Sequence, residues 1–378
     1  MHDPARRRTT TLLLTAVFCL SPITYGAVGA LRAQDATMTD REIAHLLATR
    51  FDSLRQAAGI PGLAYAILRD TTRLAMDGVG FADVAAQRPV DAHTLFNIAS
   101  VSKPISAVVA LRLVEHGTLD LDRPLRRYDD FPEYCREVRA HGGLFFGDFA
   151  CNDSSLTLRH VLSMTANGTP GTRFFYNPPA YSWTSRPMAQ VAGRPFSDLV
   201  VEEVFRPAGM TESARIFRDR PLSSALAVRL AHPYHHDSSG ALAESPPPPP
   251  QGDGAAGGVI ATVADLVRFD IALDQGRLLT RESVKEMWTP TRTRDGTELP
   301  YGLGWFVAQV RGERIVWHTG LWEGAYSALY LKIPARKLTL ILLANSDALQ
   351  WDQHFDEALI ERSPFARAFL DAFEPHSR

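Results

Sequence analysis

The chain has 378 residues, of which 45% are hydrophobic and 22% charged, and its formal net charge is −2. That is enough apolar material for the core of one large domain or two small ones, and it excludes a disordered or fibrous chain. With no basic excess, the composition argues against nucleic acid as a partner.

The N-terminus reads as an export signal. Arg6, Arg7 and Arg8 precede an apolar run from Leu12 to Leu20, and small residues follow around Ala30 and Ala33. Basic, then apolar, then small is the order of a cleavable secretory peptide, so residues 1–33 are expected to be removed. Pro22 and Gly26 interrupt the run, and about 20 apolar residues are needed to cross a bilayer, so no stable membrane insertion is expected once the signal is gone. Removal takes away four Arg and one Asp and leaves a net charge of −5. The expected location is outside the cytoplasm, periplasmic or secreted. There the remaining cysteines, Cys135 and Cys151, are either a loop staple or a pair of unpaired thiols.

Residues 40–58 place Ile43, Leu46, Leu47, Phe51 and Leu54 at helical spacing, with Gly59 as the stop. Gly62–Leu68 reads as a short strand, with Arg73–Val79 as its hairpin partner. Residues 105–116 read as a buried helix ended by Gly117. Residues 128–156 read as irregular, and 157–167 and 180–215 mostly as helix. Residues 237–258, with five consecutive prolines from Pro246 to Pro250, read as a long surface connection. Ala261–Leu273 reads as helix. Four strands are expected over Leu303–Val310, Glu313–His318, Ala325–Ile333 and Lys337–Ala344, followed by a helix near 351–362.

Strand signals therefore lie at both ends and helices in the middle, with neither βαβ alternation nor an internal repeat. The expected architecture is α/β (α+β): one antiparallel sheet built from the N- and C-terminal segments, flanked by helices, with an inserted, mainly helical lobe. Residues 34–378 form a single domain in this reading, with a sheet lobe at about 40–100 and 295–378 and a helical lobe at about 101–294.

The chemistry centres on Ser100-Val-Ser-Lys103-Pro104. A serine hydroxyl is a weak nucleophile until a base takes its proton. Residues three apart on a helix share a face, so Lys103 can set its amine beside the Ser100 hydroxyl. If desolvated, that amine can be neutral near pH 7, as an Arg cannot. Only four lysines occur in the chain, and Lys103 is the only one before Lys285. Pro104 is tolerated only in the first turn of a helix. The helix must then start near Ser100, where its dipole favours developing negative charge.

From about Gly59 to Ser346 the sequence resembles the serine β-lactamase-related family of penicillin-recognising serine hydrolases, nearest its class C-like branch. The resemblance runs through Ile60-Pro-Gly-Leu63, Thr94-Leu-Phe96, Ser100-Val-Ser-Lys103, Leu119-Asp-Leu-Asp122, Leu156-Thr-Leu-Arg-His-Val-Leu162 and Pro170-Gly-Thr-Arg-Phe174. It continues through Gly257-Gly258 before Asp265, Tyr301-Gly-Leu-Gly-Trp305, His318-Thr-Gly320 and Asn345-Ser346. It implies a β-lactamase/transpeptidase-like fold and an acyl-enzyme mechanism, in a branch that also holds esterases, D-aminopeptidases and D-Ala-D-Ala carboxypeptidases.

By the same resemblance, Tyr176 shares proton transfer with Lys103, which would require nearby positive charge to lower its phenol pKa. Asn177 is a substrate contact, although it stands one position earlier than the family's Tyr-x-Asn, with Pro178 in its place. His318-Thr319-Gly320 stands where β-lactamases carry Lys-Thr-Gly, so His318 joins the catalytic set. Thr319 and Gly320 then form a substrate-binding edge, and the Leu321 N–H pairs with that of Ser100 as an oxyanion hole. A His there is mostly neutral at pH 7, which favours ester or amide substrates over efficient β-lactam hydrolysis. Two departures concern the rim: the stretch between Ala166 and Pro170-Gly171 is short, and residues 129–153 read as an insertion that replaces it.

The function expected is therefore a serine hydrolase acting on a small-molecule ester, amide or lactam carbonyl, with no cofactor and no metal. Its alternative is a catalytically inactive ligand-binding protein on the same scaffold. No serine lies in the Gly-x-Ser-x-Gly setting of an α/β-hydrolase. The cluster His232, His235, His236 and Asp237 reads as a solvated polar loop rather than a metal site.

Overall fold

The computed structural model describes residues 38–141, 146–349 and 358–374; the expected export signal lies outside them. Helix α1 (Asp40–Ala57) opens with a capping box: the Thr39 side chain accepts from the Glu42 N–H, and the Thr39 N–H donates to the Glu42 carboxylate at 2.7 Å. Its apolar stripe, Ala44, Leu47, Phe51 and Leu54, is buried. Strands β1 (Gly62–Arg69) and β2 (Thr72–Asp83) form the expected hairpin, and β3 (Arg88–Pro89) pairs along the outer edge of β2.

After β4 (Leu95–Asn97) and a 3₁₀ turn at Ala99–Val101, the chain enters α2 (Ser102–Glu115) and then α3 (Phe131–Ala140). α3 corrects the expectation of irregular structure over 128–156. Phe131, Tyr134, Cys135 and Val138 make a buried i, i+3, i+4, i+7 stripe, which the flanking Gly and Asp residues masked in the sequence. Cys135, on α3, is disulfide-bonded to Cys151, with Cα atoms 5.7 Å apart.

The next stretch is a chain of short helices: α4 (Leu158–Leu162), α5 (Pro178–Trp183), α6 (Ser185–Ala192), α7 (Phe196–Val200), a π turn at Val201–Phe205 and α8 (Arg206–Ala208). The helical region expected over 180–215 is thus divided, because Gly193 and Gly209 adopt positive φ at the C-caps of α6 and α8. Its end is strand β5 (Ala214–Arg215), and α9 (Ser224–Ala227) follows.

The expected loop over 237–258 is also corrected. β6 (Tyr234–His236) pairs with β7 (Leu242–Glu244) in a hairpin, and only then does the proline run follow, extended and mostly exposed. β8 (Val259–Thr262) occupies the start of the helix expected from Ala261. Its apolar residues pair with β4 on one side and β5 on the other. Helix α10 (Val263–Asp274) begins only after Thr262, whose hydroxyl accepts from the Asp265 N–H at 3.0 Å. α11 (Arg281–Met287) completes the middle of the chain.

The C-terminal strands are β9 (Phe306–Val310), β10 (Glu313–Trp322), β11 (Tyr326–Ile333) and β12 (Leu338–Ala344). They join the N-terminal strands in one antiparallel seven-stranded sheet, ordered β3-β2-β1-β12-β11-β10-β9. β1 and β12, from opposite ends of the chain, are neighbours at its centre, with Leu63 opposite Ala344 and Arg69 opposite Leu338. Residues 351–357 of the helix expected near 351–362 lie outside the described residues. Ile360–Arg362 is a 3₁₀ turn, and the helix itself is α12 (Pro364–Ala372), capped by Ser363.

Side chains alternate across a strand. Tyr65 meets Phe51 of α1, and Phe51 in turn meets Phe365 of α12. Tyr330, on the other face, meets Phe269 of α10. Helices thus cover both faces. The β4-β8-β5 ladder stands beside the α10 face and ends at the turn that carries Ser100.

Candidate active site

The turn that presents Ser100 is fixed from both sides. The Ile98 N–H donates to the Val259 carbonyl at 3.1 Å, and the Ala99 N–H to the Asn97 side chain at 2.9 Å. Ala99 itself sits at φ +45°, an uncommon conformation for a residue with a Cβ. One 3₁₀ turn later Ser102, Lys103 and Pro104 are the first three residues of α2. Ser102 is itself buried, and its hydroxyl receives the Val259 N–H at 3.3 Å.

Lys103 is completely buried. Its Nζ lies 2.7 Å from Ser100 Oγ and 3.2 Å from the Ala256 carbonyl, to which it donates. It also lies over the rings of Tyr176 and Tyr181, at 5.1 and 5.6 Å from their centroids. Among the described residues no carboxylate is paired with it, and burial pulls its pKa down to about 7. Near neutral pH a substantial fraction of Lys103 is therefore an uncharged amine within reach of the Ser100 proton.

Tyr176 hydrogen-bonds Ser100 through its phenol. Its pKa moves opposite to the sequence expectation: burial pushes it up, so the group stays protonated at pH 7. The apolar packing against Phe306 and the half-neutral Lys103 supply no strong positive charge to counter desolvation.

His318 is fully buried and does not line the cleft. Its Nδ1 lies 2.6 Å from the Thr319 carbonyl, which can only accept, so Nδ1 carries the proton. Nε2 then accepts from the Tyr301 hydroxyl at 2.8 Å. Burial, reinforced by Lys103, holds its pKa well below the usual histidine range. Both nitrogens of this neutral imidazole are thus engaged.

Asn177 also departs from expectation. It caps α5, accepting from the Ala180 N–H at 3.0 Å, and donates to the Phe146 carbonyl and to Asn167, both at 3.0 Å. It is buried and does not line the cleft, because Pro178 and Pro179 start the helix and draw the residue before them into the cap.

Gly320 and Leu321 lie where the turn that carries Ser100 meets β10. A Cβ on Gly320 would collide with the Ile98 carbonyl, so glycine lets the strand press against that turn. Leu321 shares the cleft wall with Ser100 and Tyr176. Thr319 is buried.

Several contributors were not singled out from sequence. Ala256 supplies the carbonyl beside Lys103, and Ala255 accepts from the Ser106 hydroxyl at 2.6 Å. Buried Arg215 holds this loop at several points: Nη2 meets Asp253 at 2.8 Å and the Gly254 carbonyl at 3.0 Å, and Nη1 meets the Gly257 carbonyl. The signal available was Gly257-Gly258, which marks close backbone approach but not the arginine that exploits it. The cleft measures about 1040 Å³, the size of a small-molecule site. Tyr134, Glu137 and Phe146, at or beside the Cys135–Cys151 bond in sequence, form part of its wall. Among the described residues no His, Cys, Asp and Glu side chains gather so as to hold a metal ion, and no helix is long and apolar enough to cross a membrane.

Comparison with known proteins places this geometry in context. The sequence profile of the family described as Beta-lactamase matches residues 47–362. Penicillin-binding protein 4* of Bacillus subtilis is 26% identical over 307 residues, covering 75% of this chain and 67% of that protein. A D-aminopeptidase of Brucella ovis is 26% identical over 286 residues, covering 70% of this chain. The chain spans about half the length of that relative, 52%. In structure, the D-amino acid amidase of Ochrobactrum anthropi in complex with D-phenylalanine superposes with a TM-score of 0.69 at 20% identity, covering 89% of this chain and 100% of that one. At that identity the likeness concerns the fold alone.

Proposed function

Because the chain belongs to the Beta-lactamase family and resembles a penicillin-binding protein and a D-aminopeptidase, we propose that Ser100 is its nucleophile and Lys103 the base that activates it. The observation that carries this reading is the 2.7 Å contact between Ser100 Oγ and an amine whose pKa lies at about 7.

In the acylation step the Ser100 proton passes to Lys103 Nζ while Oγ bonds to the substrate carbonyl carbon. The resulting oxyanion is held by the N–H groups of Ser100 and Leu321. As the carbonyl re-forms, the bond to the leaving group breaks and that group takes a proton from Tyr176, whose neutral phenol is then restored by Lys103. Water attacks the acyl-enzyme with Lys103 again receiving the proton, and Ser100 leaves with a proton returned through Tyr176. The protonated state of Tyr176 suits this role, since a donor must hold its proton until the leaving group departs.

The substrate favoured is an ester or amide, including peptide-like amides, rather than a penicillin. A lysine in the third motif would offer a fixed charge to a substrate carboxylate, whereas His318 is neutral, buried and already bonded. The D-aminopeptidase and penicillin-binding relatives are in keeping with amide chemistry. The reading includes export with loss of residues 1–33, and the Cys135–Cys151 disulfide is in keeping with an oxidising compartment.

The test is covalent capture. A fluorophosphonate probe labels the wild type and not Ser100→Ala, and hydrolysis of a short-chain nitrophenyl ester is lost with the label. If the wild type fails to label and Ser100→Ala behaves identically toward ligands, the chain is an inactive binding protein on this scaffold.

A further inference from the structure

One wall of the cleft is built by residues that the family motifs do not supply. Tyr134 on α3 stacks on Trp183 of α5, with ring centroids 4.9 Å apart, and Phe146 meets the edge of Tyr134 at 5.9 Å. Phe149 packs against Tyr134 from the far side at 5.6 Å. Tyr134, Phe146, Trp183 and Phe196 all line the cleft that holds Ser100. The Cys135–Cys151 bond sits one residue from Tyr134 and ties α3 to the segment that carries Phe146 and Phe149. This is an apolar, cross-linked wall of rigid rings, suited to flat or bulky apolar groups.

The charges around it select further. The lining side chains carry three carboxylates, Glu137, Asp253 and Glu323, and a single guanidinium, Arg186. Arg186 already stands 3.8 Å from Asp130 and 3.9 Å from Glu137. Asp253 is in turn paired with Arg215, so the lining offers a substrate carboxylate no uncommitted guanidinium, while Glu323 adds like charge.

We infer that Tyr134, Phe146, Trp183 and Phe196 form an acyl-group subsite that takes a bulky apolar, preferably aromatic, acyl group bearing no carboxylate. The inference rests on Ser100 being the nucleophile. The subsite is assigned to the acyl side because that part stays attached to Ser100 after the first step. A leaving group wedged into an enclosed aromatic wall would delay its own escape and the entry of water.

The experiment compares kcat/KM for three nitrophenyl esters that share a leaving group: acetate, phenylacetate and hydrogen succinate, each corrected for its uncatalysed rate. The wild type should prefer phenylacetate over acetate by roughly tenfold or more, the discrimination an apolar pocket can give, and should use succinate least. Tyr134→Ala, and separately Cys135→Ser with Cys151→Ser, should bring the phenylacetate-to-acetate ratio close to one. Comparison of near-UV circular dichroism identifies a variant that has failed to fold, in which case the other decides. A wild-type ratio near one, succinate turned over as well as phenylacetate, or a preference that survives in a folded variant would overturn the subsite. Hydrolysis undiminished in Ser100→Ala would instead overturn the nucleophile assignment itself.

Discussion

Lys103 meets two demands that pull in opposite directions. Holding an ammonium without a carboxylate partner in the protein interior is unfavourable, yet that same burial makes the amine a base near pH 7. With the neutral amine as the active form, kcat/KM for an uncharged ester should rise through an acid limb centred near pH 7. A limb governed by a carboxylate, near pH 4–5, would contradict this.

The same shift makes a prediction about stability. In the unfolded chain the lysine has its ordinary pKa near 10.4, well above the folded value of about 7. Between those values the unfolded state binds more protons, so stability falls as pH drops from about 10 to 7 and the full penalty applies below 7. Lys103→Met removes the penalty. It should abolish hydrolysis yet raise unfolding free energy at pH 6 by up to about 4–5 kcal/mol, with little gain at pH 10.5. Denaturant melts at the two pH values check the sign. Lys103→Arg, with no neutral form in the accessible range, should not restore activity.

Ser100, Lys103 and Tyr176, picked out by residue type in the sequence, lie together in the structure. The partners of His318 and Asn177 could not be read in advance, because they are decided by the groups their polar atoms meet. Tyr301 and the Thr319 carbonyl occupy both nitrogens of His318. The α5 N-terminus and Asn167 occupy Asn177. These partners come from the fold and leave no trace at the residue itself.

Among the elements, the loop at 251–258 shows how a distant arginine can govern the base. Arg215 fixes Asp253, Gly254 and Gly257, and so places the Ala256 carbonyl beside Lys103. Arg215→Met should let this loop relax and admit water. The Lys103 pKa would then climb toward its solution value, moving the acid limb upward by about one unit, with kcat reduced. A lower kcat on an unmoved limb would mean that Arg215 only stabilises the fold.

Strong periodicity made α1, α2 and every strand of the large sheet except the two-residue β3 readable in advance. α3 escaped notice because its four-residue stripe lies among polar neighbours. β4, β5 and β8 escaped because strands of two to four residues carry no period of their own and exist through pairing with one another.

For the molecule as a whole, the seven-stranded sheet makes the two ends of the chain interdependent. β1 is hydrogen-bonded to β12 along its whole length, from Leu63–Ala344 to Arg69–Leu338. A single nick in the exposed proline run, 246–250, should therefore leave both fragments bound to one another. They should co-elute on gel filtration and separate only in denaturant; separation in native buffer would contradict the pairing. Reduction of Cys135–Cys151, which closes a loop of 16 residues, should lower stability by about 3 kcal/mol, with a matching fall in denaturation midpoint.

The central position of β12 also sets a timetable for synthesis. Ser100, Lys103 and Tyr176 are all made in the first half of the chain, but β10 and β12, which brace the nucleophile's turn and the middle of the sheet, emerge near its end. Contacts of such long sequence separation form late. A nascent chain that stops short of β12 therefore holds Ser100, Lys103 and Tyr176 without the scaffold around them, and the proposed hydrolysis should appear only once β12 has closed the sheet.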